Sequence, residues 1–444
     1  MGATLESTAK NLPEETLRAW VFLLGNSNFL ARWTRRYPDQ VQSLLQQDFS
    51  KVWSEGSFKE ELDRKLPPGE EISDTTLSEA LLDFKYRHFY RITLRDMGLQ
   101  KPLVEIAQEL SSLAKVILEK SLQWQKNSLQ KKWGVPGPDS INQSEIPFTV
   151  LALGKLGGNE LNFSSDVDLI YCHGSDQGGV FKDNFKTEFT PHQFFSKLGE
   201  NLGRFLSQKT AEGFLYRVDL DLRPEGKAGT ITNSLEAMEA YYETFGAYWE
   251  KQAMIKVAWA GGSHELFGNF AKMIRPFVYP KTHDFNLIAK VHEMKKKVQE
   301  SVQSSSEAGY HVKLGSGGIR EIEFFVQTFQ ILYGGSHASL QSPNTLNGLS
   351  AIADLKLIER EDAETLKQAY LFLRTLENRL QQVEEQQKHR LPESTEELIQ
   401  LSRRMGYLQD SEEKALELFS QDLDRHRRYV KQRFEALLDS NMPK

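Results

Sequence analysis

The hydrophobic period of this chain switches twice, and the double switch restricts it to a mixed architecture. From about Leu17 to Gln130, apolar residues recur at i, i+3 and i+4 with charged faces between them, as in SEALLDFKYRHFYRITLRDM and LVEIAQELSSLAKVILEKSLQWQ. That is the period of amphipathic helices. The stretch GVPGPDSINQSEIP, Gly134 to Pro147, carries no period, and its prolines, glycines and polar residues mark a linker and a domain boundary. Beyond it FTVLALG, VDLIYCH and FLYRVDLDLRP read as strands. Between the last two, PHQFFSKLGENLGRFLSQKTAEG reads as a helix ended by Gly213. From about Asp284 the helical period returns in LIAKVHEMKKKVQESVQ, GGIREIEFFVQTFQILYGG, TLKQAYLFLRTLENRLQQVEEQ and ALELFSQDLDRHRRYVKQRFEALL. The expected fold is mainly α with an α+β core: a helical N-terminal region over 1–135, an α+β domain over 146–275 and a helical bundle over 284–444. No fixed-period repeat is evident, and the low-complexity patch SVQSSSEAG is short.

Composition narrows the function. A chain of 444 residues is too long for a single core, and 39% hydrophobic with 26% charged residues describes a folded, soluble protein. A net charge of -6 with no polybasic block argues against a nucleic-acid partner. The N-terminus lacks a signal-peptide pattern, and no window approaches the roughly 20 apolar residues of a membrane span, so the cytoplasm is expected and a membrane is not. MGATLES fits a myristoylation pattern nominally, a short match of little weight. Cys172 is the one cysteine, which excludes an internal disulfide and a cysteine zinc site; within LIYCH it reads as a core thiol.

The chemistry concentrates at NFSSDVDLIY. On a strand, residues i and i+2 share a face with α-carbons roughly 6.5 to 7 Å apart. Asp166 and Asp168 therefore share one, and Val167 and Leu169 take the other, as on a half-buried strand. Two carboxylates so held repel unless a cation lies between them, and oxygen-only ligands select Mg²⁺ or Mn²⁺ over zinc. The run Arg217 to Arg223 repeats the device, with Asp219 or Asp221 able to complete a three-carboxylate cradle and Arg217 and Arg223 able to meet a phosphoryl group. A lone DxD is common, and charge alternation ordinarily marks a solvated face. Here, however, Gly157 and Gly158 follow a strand directly, at a turn where glycines let backbone amides approach phosphate oxygens. Neither a Walker loop nor GxGxxG is present.

Strand, Gly-Gly turn, the Ser165-Asp166-x-Asp168 strand and a later Asp-bearing strand form the nucleotidyltransferase arrangement of the DNA polymerase beta superfamily. LGKLGGNELNFSSDVDLIY, YRVDLDLRPEGKAGTITNSLEAMEAYYETFGAYWEKQAMIKV and GSGGIREIEFFVQTFQILYGG, in this order, resemble the bacterial glutamine synthetase adenylyltransferase/adenylyl-removing enzyme family. NFLARWTRRYPD, YRITLRDM and LRTLENRLQQVEEQQKHRLP resemble it too, so the likeness covers most of the chain.

The resemblance implies a polymerase beta-like domain between two helical regions. Members carry two such halves: one attaches AMP to a glutamine synthetase tyrosine, and the N-terminal one removes it with inorganic phosphate, giving ADP, under control of the PII signal protein and glutamine. A leading methionine, one catalytic unit and the wording NFSSDVDL liken this chain to the adenylyl-removing half. By position, Asp166 and Asp168 match the family's metal-binding pair and Asp219 the aspartate of RVDxxLRP; Asp221 stands where the family usually has a basic residue. The expected catalytic and metal residues are thus Asp166, Asp168 and Asp219. The expected phosphate- and nucleotide-binding set is Gly157, Gly158, Ser165, Arg217, Arg223, Lys256 and Arg320.

Phosphorolysis suits such a set. Phosphate is already an anion near neutral pH, and a phenolate whose parent pKa is about 10 leaves with modest help, so metal and arginines suffice without a histidine. A second candidate site is the helix opening at Gly317-Gly318, with Arg320 in its first turn; Arg320, Glu323, Gln327 and Gln330 form a polar stripe, and Ile322, Phe325, Val326 and Phe329 an apolar one. At Glu250 and Lys256 a buried ion pair competes with a nucleotide contact. His173 reads as capping its strand, and Leu371 to Gln386 as core packing. The alternatives are adenylyl transfer from ATP, or a regulatory module that recruits PII or glutamine synthetase. A template-using polymerase lacks its basic groove here.

Overall fold

The computed structural model describes residues 9–66, 72–138, 145–281, 289–291, 293–296, 300 and 309–439. Helices α1 (Glu14–Asn26), α2 (Asn28–Arg36), α3 (Pro38–Leu45), α4 (Glu55–Lys65), α5 (Asp74–Thr93) and α6 (Leu103–Trp133) come first. Ser27, Ser54 and Ser73 cap α2, α4 and α5 by accepting from Leu30, Ser57 and Thr76 N–H, which satisfies amides the helix leaves unpaired.

The α+β part runs β1 (Val135–Gly137), β2 (Phe148–Ala152), α7 (Gly154–Gly157), β3 (Val167–His173), β4 (Gly179–Lys182), β5 (Phe185–Lys186), α8 (Pro191–Ser207), β6 (Val218–Asp219), β7 (Thr232–Ser234), α9 (Leu235–Thr244), α10 (Tyr248–Ile255), β8 (Ala258–Gly262) and α11 (His264–Val278). β2 lies antiparallel between β3 and β8, and β6 and β7 pair in parallel with the start and the end of β3. The helical bundle follows as α12 (Ile319–Tyr333), α13 (Thr345–Asp354), α14 (Arg360–Gln381), α15 (Thr395–Arg404) and α16 (Glu412–Asp439). The fold is thus mostly helical around a small sheet, as expected. No helix among the described residues is long and apolar enough to cross a membrane.

β3 is buried on both faces, where its alternation suggested one. Val167, Leu169 and Tyr171 share an apolar cluster with Leu81, Leu113 and Leu118 of the N-terminal helices and Leu198 of α8. Ile170 and Cys172 pack instead with Met238, Tyr242, Ile255 and Phe270. Cys172 is a core thiol, pushed up to about 12 by burial.

Four local readings change. The strand expected over FLYRVDLDLRP shrinks to Val218–Asp219, because Asp219 Oδ1 accepts from Asp221 N–H at 2.7 Å and Arg223 N–H bonds Leu220 O at 3.2 Å, turning the chain. α8 closes at Ser207, short of Gly213, which sits at φ +126 in a Thr210–Gly213 bridge beside the Tyr86 ring. The linker stretch opens with β1, paired to β4; residues 139–144 lie outside the described ones. Both stripes of α12 are buried except at Arg320, with Glu323, Gln327 and Gln330 inside. MGATLES, most of SVQSSSEAG and part of LIAKVHEMKKKVQESVQ fall outside the described residues.

Candidate active site

β2 leaves the sheet at Leu153, whose N–H still bonds Asp168 O at 2.9 Å. The next residue, Gly154, sits at φ +54, and a Cβ there would lie 2.1 Å from Asp168 Oδ2. A glycine is therefore required twice over, for its backbone and for the carboxylate. Gly154→Ala is expected to displace Asp168 and lower turnover about 100-fold or more, with the circular dichroism spectrum kept; unchanged turnover would remove Gly154 from the site.

The parallel register aligns Asp168 with Asp219 on β6. The Asp168 carboxyl is pushed up to about 6, first by burial and then by the charges of Asp219 and Asp166, while Lys313 and Lys155 oppose the shift. Asp166 Oδ1 accepts from Arg217 Nε at 2.6 Å and Oδ2 from Gln387 Nε2 at 3.1 Å. Arg217 Nη2 also bonds Ser164 O and Oγ, both at 3.1 Å, so this guanidinium orients an aspartate and its loop. Asp166, Asp168 and Asp219 thus lie within reach of one another's charge and offer only oxygen donors, the kind hard divalent ions take. Asp221 is exposed, 3.3 Å from Lys227 Nζ, and its backbone N–H donates to Asp219 Oδ1.

Two lysines and one helix, none of them singled out by the sequence, complete the surroundings. Lys155 Nζ bonds both oxygens of Glu377 at 2.8 and 2.9 Å and is pushed down to about 8, chiefly by burial, with Arg374 and Lys313 adding to the effect and Glu377 opposing it. Lys313 is half-buried and its ammonium group has no hydrogen-bond or ion-pair partner among the described residues, yet its charge reaches Asp168, Lys155 and Glu323. Helix α14, read as core packing, holds the loop that delivers Asp166. Arg374 bonds Glu160 O and Asn162 Oδ1, Glu377 accepts from Asn162 and lies 2.9 Å from His389 Nδ1, Asn378 Oδ1 accepts from Phe163 N–H at 3.1 Å, and Gln381 Oε1 from Ser164 N–H at 3.0 Å. The signal was the spacing of Arg374, Glu377, Asn378 and Gln381, a polar helical stripe.

The remaining expected residues make contacts within the chain. A Cβ on Gly157 would lie 1.8 Å from Lys256 O and one on Gly158 2.8 Å from Glu160 Oε2, so both glycines serve close packing. Ser165 is half-buried in the loop before β3. Arg223 donates to the carbonyls of Leu220, Lys227, Gly229 and Thr230, bracing its own loop. Lys256 is a buried hub, 2.6 Å from Glu160, 3.2 Å from Glu323 and 3.1 Å from Thr345. Glu250 does not pair with it; Glu250 accepts from Ala247 N–H at 2.7 Å and Tyr241 Oη at 3.1 Å. Arg320 lies 3.3 Å from Glu323 and over the Phe324 ring. At the head of α12, the Gly317, Gly318, Ile319 and Arg320 amides already donate to Glu321, Gly315, Val312 and Lys313, so the second candidate site offers an anion none of these donors.

Residues 17–273, more than half of the chain, match the family described as glutamate-ammonia ligase adenylyltransferase. Residues 286–438 match the family described as GlnD PII-uridylyltransferase. With a polymerase beta-like run of strands, a carboxylate trio at its start and the first match spanning helices and sheet alike, the chain belongs to the glutamate-ammonia ligase adenylyltransferase family of nucleotidyltransferase enzymes.

Proposed function

We propose that this chain is the adenylyl-removing half of such an enzyme, freeing a glutamine synthetase tyrosine of AMP by Mg²⁺-dependent phosphorolysis and releasing ADP in the control of nitrogen assimilation. The observation that carries the proposal is the meeting of Asp166, Asp168 and Asp219 with Lys155 and Lys313, whose charges are felt at Asp168. Oxygen-only donors and the space kept at Asp168 by Gly154 fit Mg²⁺ or Mn²⁺. Such an ion, held by Asp166, Asp168 and Asp219, supplies charge neutralisation at the transferred phosphoryl group.

The chain's own groups do the rest. Lys155 and Lys313 attract the incoming phosphate, Arg217 fixes Asp166, and α14 fixes the loop between them. A phosphate oxygen attacks phosphorus, the bond from phosphorus to the tyrosine oxygen breaks, and phenolate leaves. The nucleophile is anionic already, so no base is required, and no histidine hydrogen-bonds the three aspartates among the described residues. The match of 286–438 to a PII-uridylyltransferase family supports PII as the regulatory partner, read by the helical bundle. A cytoplasmic location follows from these substrates.

Incubation with adenylylated glutamine synthetase, Mg²⁺ and phosphate is expected to yield ADP. AMP incorporation from ATP into the unmodified synthetase instead would make the chain the transferase half. Because Lys155 loses its charge near pH 8, the KM for phosphate is expected to rise above that pH. Lys155→Met should raise KM at pH 7 and flatten that limb; an unaltered profile would exclude Lys155 from anion binding.

A further inference from the structure

β3 carries a second cluster at its far end, five residues beyond Asp168 and therefore about 16 Å along the strand. His173 Nε2, Asp176 Oδ1 and His192 Nδ1 all lie within 4.8 Å of one another. Nε2 and Oδ1 are 2.8 Å apart, and Nδ1 and the same Oδ1 3.5 Å. The three come from different pieces of chain: the last residue of β3, the turn after it, and the first turn of α8. Tetrahedral zinc, with bonds of about 2.0 to 2.1 Å, holds its ligand atoms roughly 3.3 Å apart, so the cluster needs only small side-chain shifts to take one.

The surroundings prepare His173 as a ligand. Its Nδ1 lies 3.1 Å from Thr232 Oγ1, and that hydroxyl is 3.3 Å from Tyr171 O. When Thr232 donates to the carbonyl, it accepts from Nδ1–H, which leaves the Nε2 lone pair facing Asp176. A lone pair and a carboxylate oxygen at 2.8 Å repel unless a proton or a metal cation joins them. Burial pushes His173 below its ordinary value, against the pull of Asp176, which favours the neutral ring a metal requires. Asp176 and His192 are 44% and 40% exposed, so an ion can enter and keep a water.

We propose that His173, Asp176 and His192 form a binding site for a zinc-class divalent ion that fastens the start of α8 to the end of β3. Two imidazoles and one carboxylate favour Zn²⁺, or Co²⁺ as its probe, over Mg²⁺. The site is separate from the carboxylate trio and does not depend on the direction of AMP transfer.

The test uses the full chain, stripped of metal, in excess Mg²⁺ to saturate the carboxylates. Zn²⁺ titration by calorimetry is expected to give one tight site, Co²⁺ to give the visible absorption of tetrahedral coordination, and Zn²⁺ to raise the Tm reversibly to chelator. His192→Ala, an exposed first-turn change that leaves the core untouched, and Asp176→Asn should each weaken Zn²⁺ by at least about 100-fold, whereas Asp168→Asn should leave it unchanged. No Zn²⁺ binding, or binding equally tight in His192→Ala, would overturn the proposal and leave a His173–Asp176 hydrogen bond alone.

Discussion

Asp168→Asn is expected to lower ADP formation about a thousandfold or more while leaving the metal-free protein at least as stable as the parent. The two outcomes have one origin. Asp168 is held at the start of a strand buried on both faces, opposite Asp219 and near Asp166, and its carboxyl is pushed from 3.8 up to about 6. Between those values the folded chain holds a proton that the unfolded chain has released. Stability of the metal-free protein therefore falls as pH rises from about 4 to 6 and stays lower above it. With one pKa unit worth about 1.4 kcal/mol and a discount for partial exposure, the loss is on the order of 2 kcal/mol. The asparagine variant should lose that slope, and Mg²⁺ should stabilise the parent far more than the variant. Denaturant midpoints across this range check it. A variant that loses activity and stability together would instead make Asp168 a structural residue.

Glu377 carries the second large effect, on stability and activity at once. Its buried carboxylate holds Lys155 and Asn162, lies 3.4 Å from Arg374 Nε and 2.9 Å from His389 Nδ1, and is kept well below the usual carboxylate range, since Lys155, His389 and Arg374 outweigh the opposing effect of burial. Glu377→Ala leaves buried cations uncompensated and is expected to cost about 3 to 5 kcal/mol. Glu377→Gln keeps the volume and one acceptor, so the loss should be smaller, but Lys155 loses its fixed position and the KM for phosphate should rise. Lys155→Met combined with Glu377→Gln removes both charges. The pair should recover stability relative to the sum of the single changes by more than about 1 kcal/mol, without recovering activity. Additive stabilities would mean that the two groups do not act as a unit.

The parts of the site that were legible in the sequence are those held by strand geometry. Asp166 and Asp168 announce themselves through a period of two, and Asp219 through a neighbouring strand whose register sets it beside Asp168. The same signal misled at Asp221, because charge alternation continued past the point where the Asp219 side chain turns the backbone. Glycine identity was legible but not glycine function. Gly157 and Gly158 looked like phosphate-facing residues, whereas the positive φ and the approach to the carboxylate belong to Gly154. The residues that were missed arrive from far along the chain. Glu377 meets Lys155 across a separation of 222 residues, and Lys313 precedes the glycines of α12 without any periodic context. Only tertiary packing gives such residues a role. For the same reason the polar face of α14 read as packing: its stripe has the spacing of any buried helix, and what it holds is a loop more than 200 residues earlier.

The most direct measurement follows the phosphate itself. The full chain is given adenylylated glutamine synthetase, Mg²⁺ and inorganic phosphate carrying labelled phosphorus, and the products are separated. The expected result is ADP labelled only in its β-phosphate, formed in equal amount with freed tyrosine and absent with Asp168→Asn. Unlabelled AMP as the product, or label that never enters nucleotide while ATP modifies the free synthetase, would contradict phosphorolysis at this site.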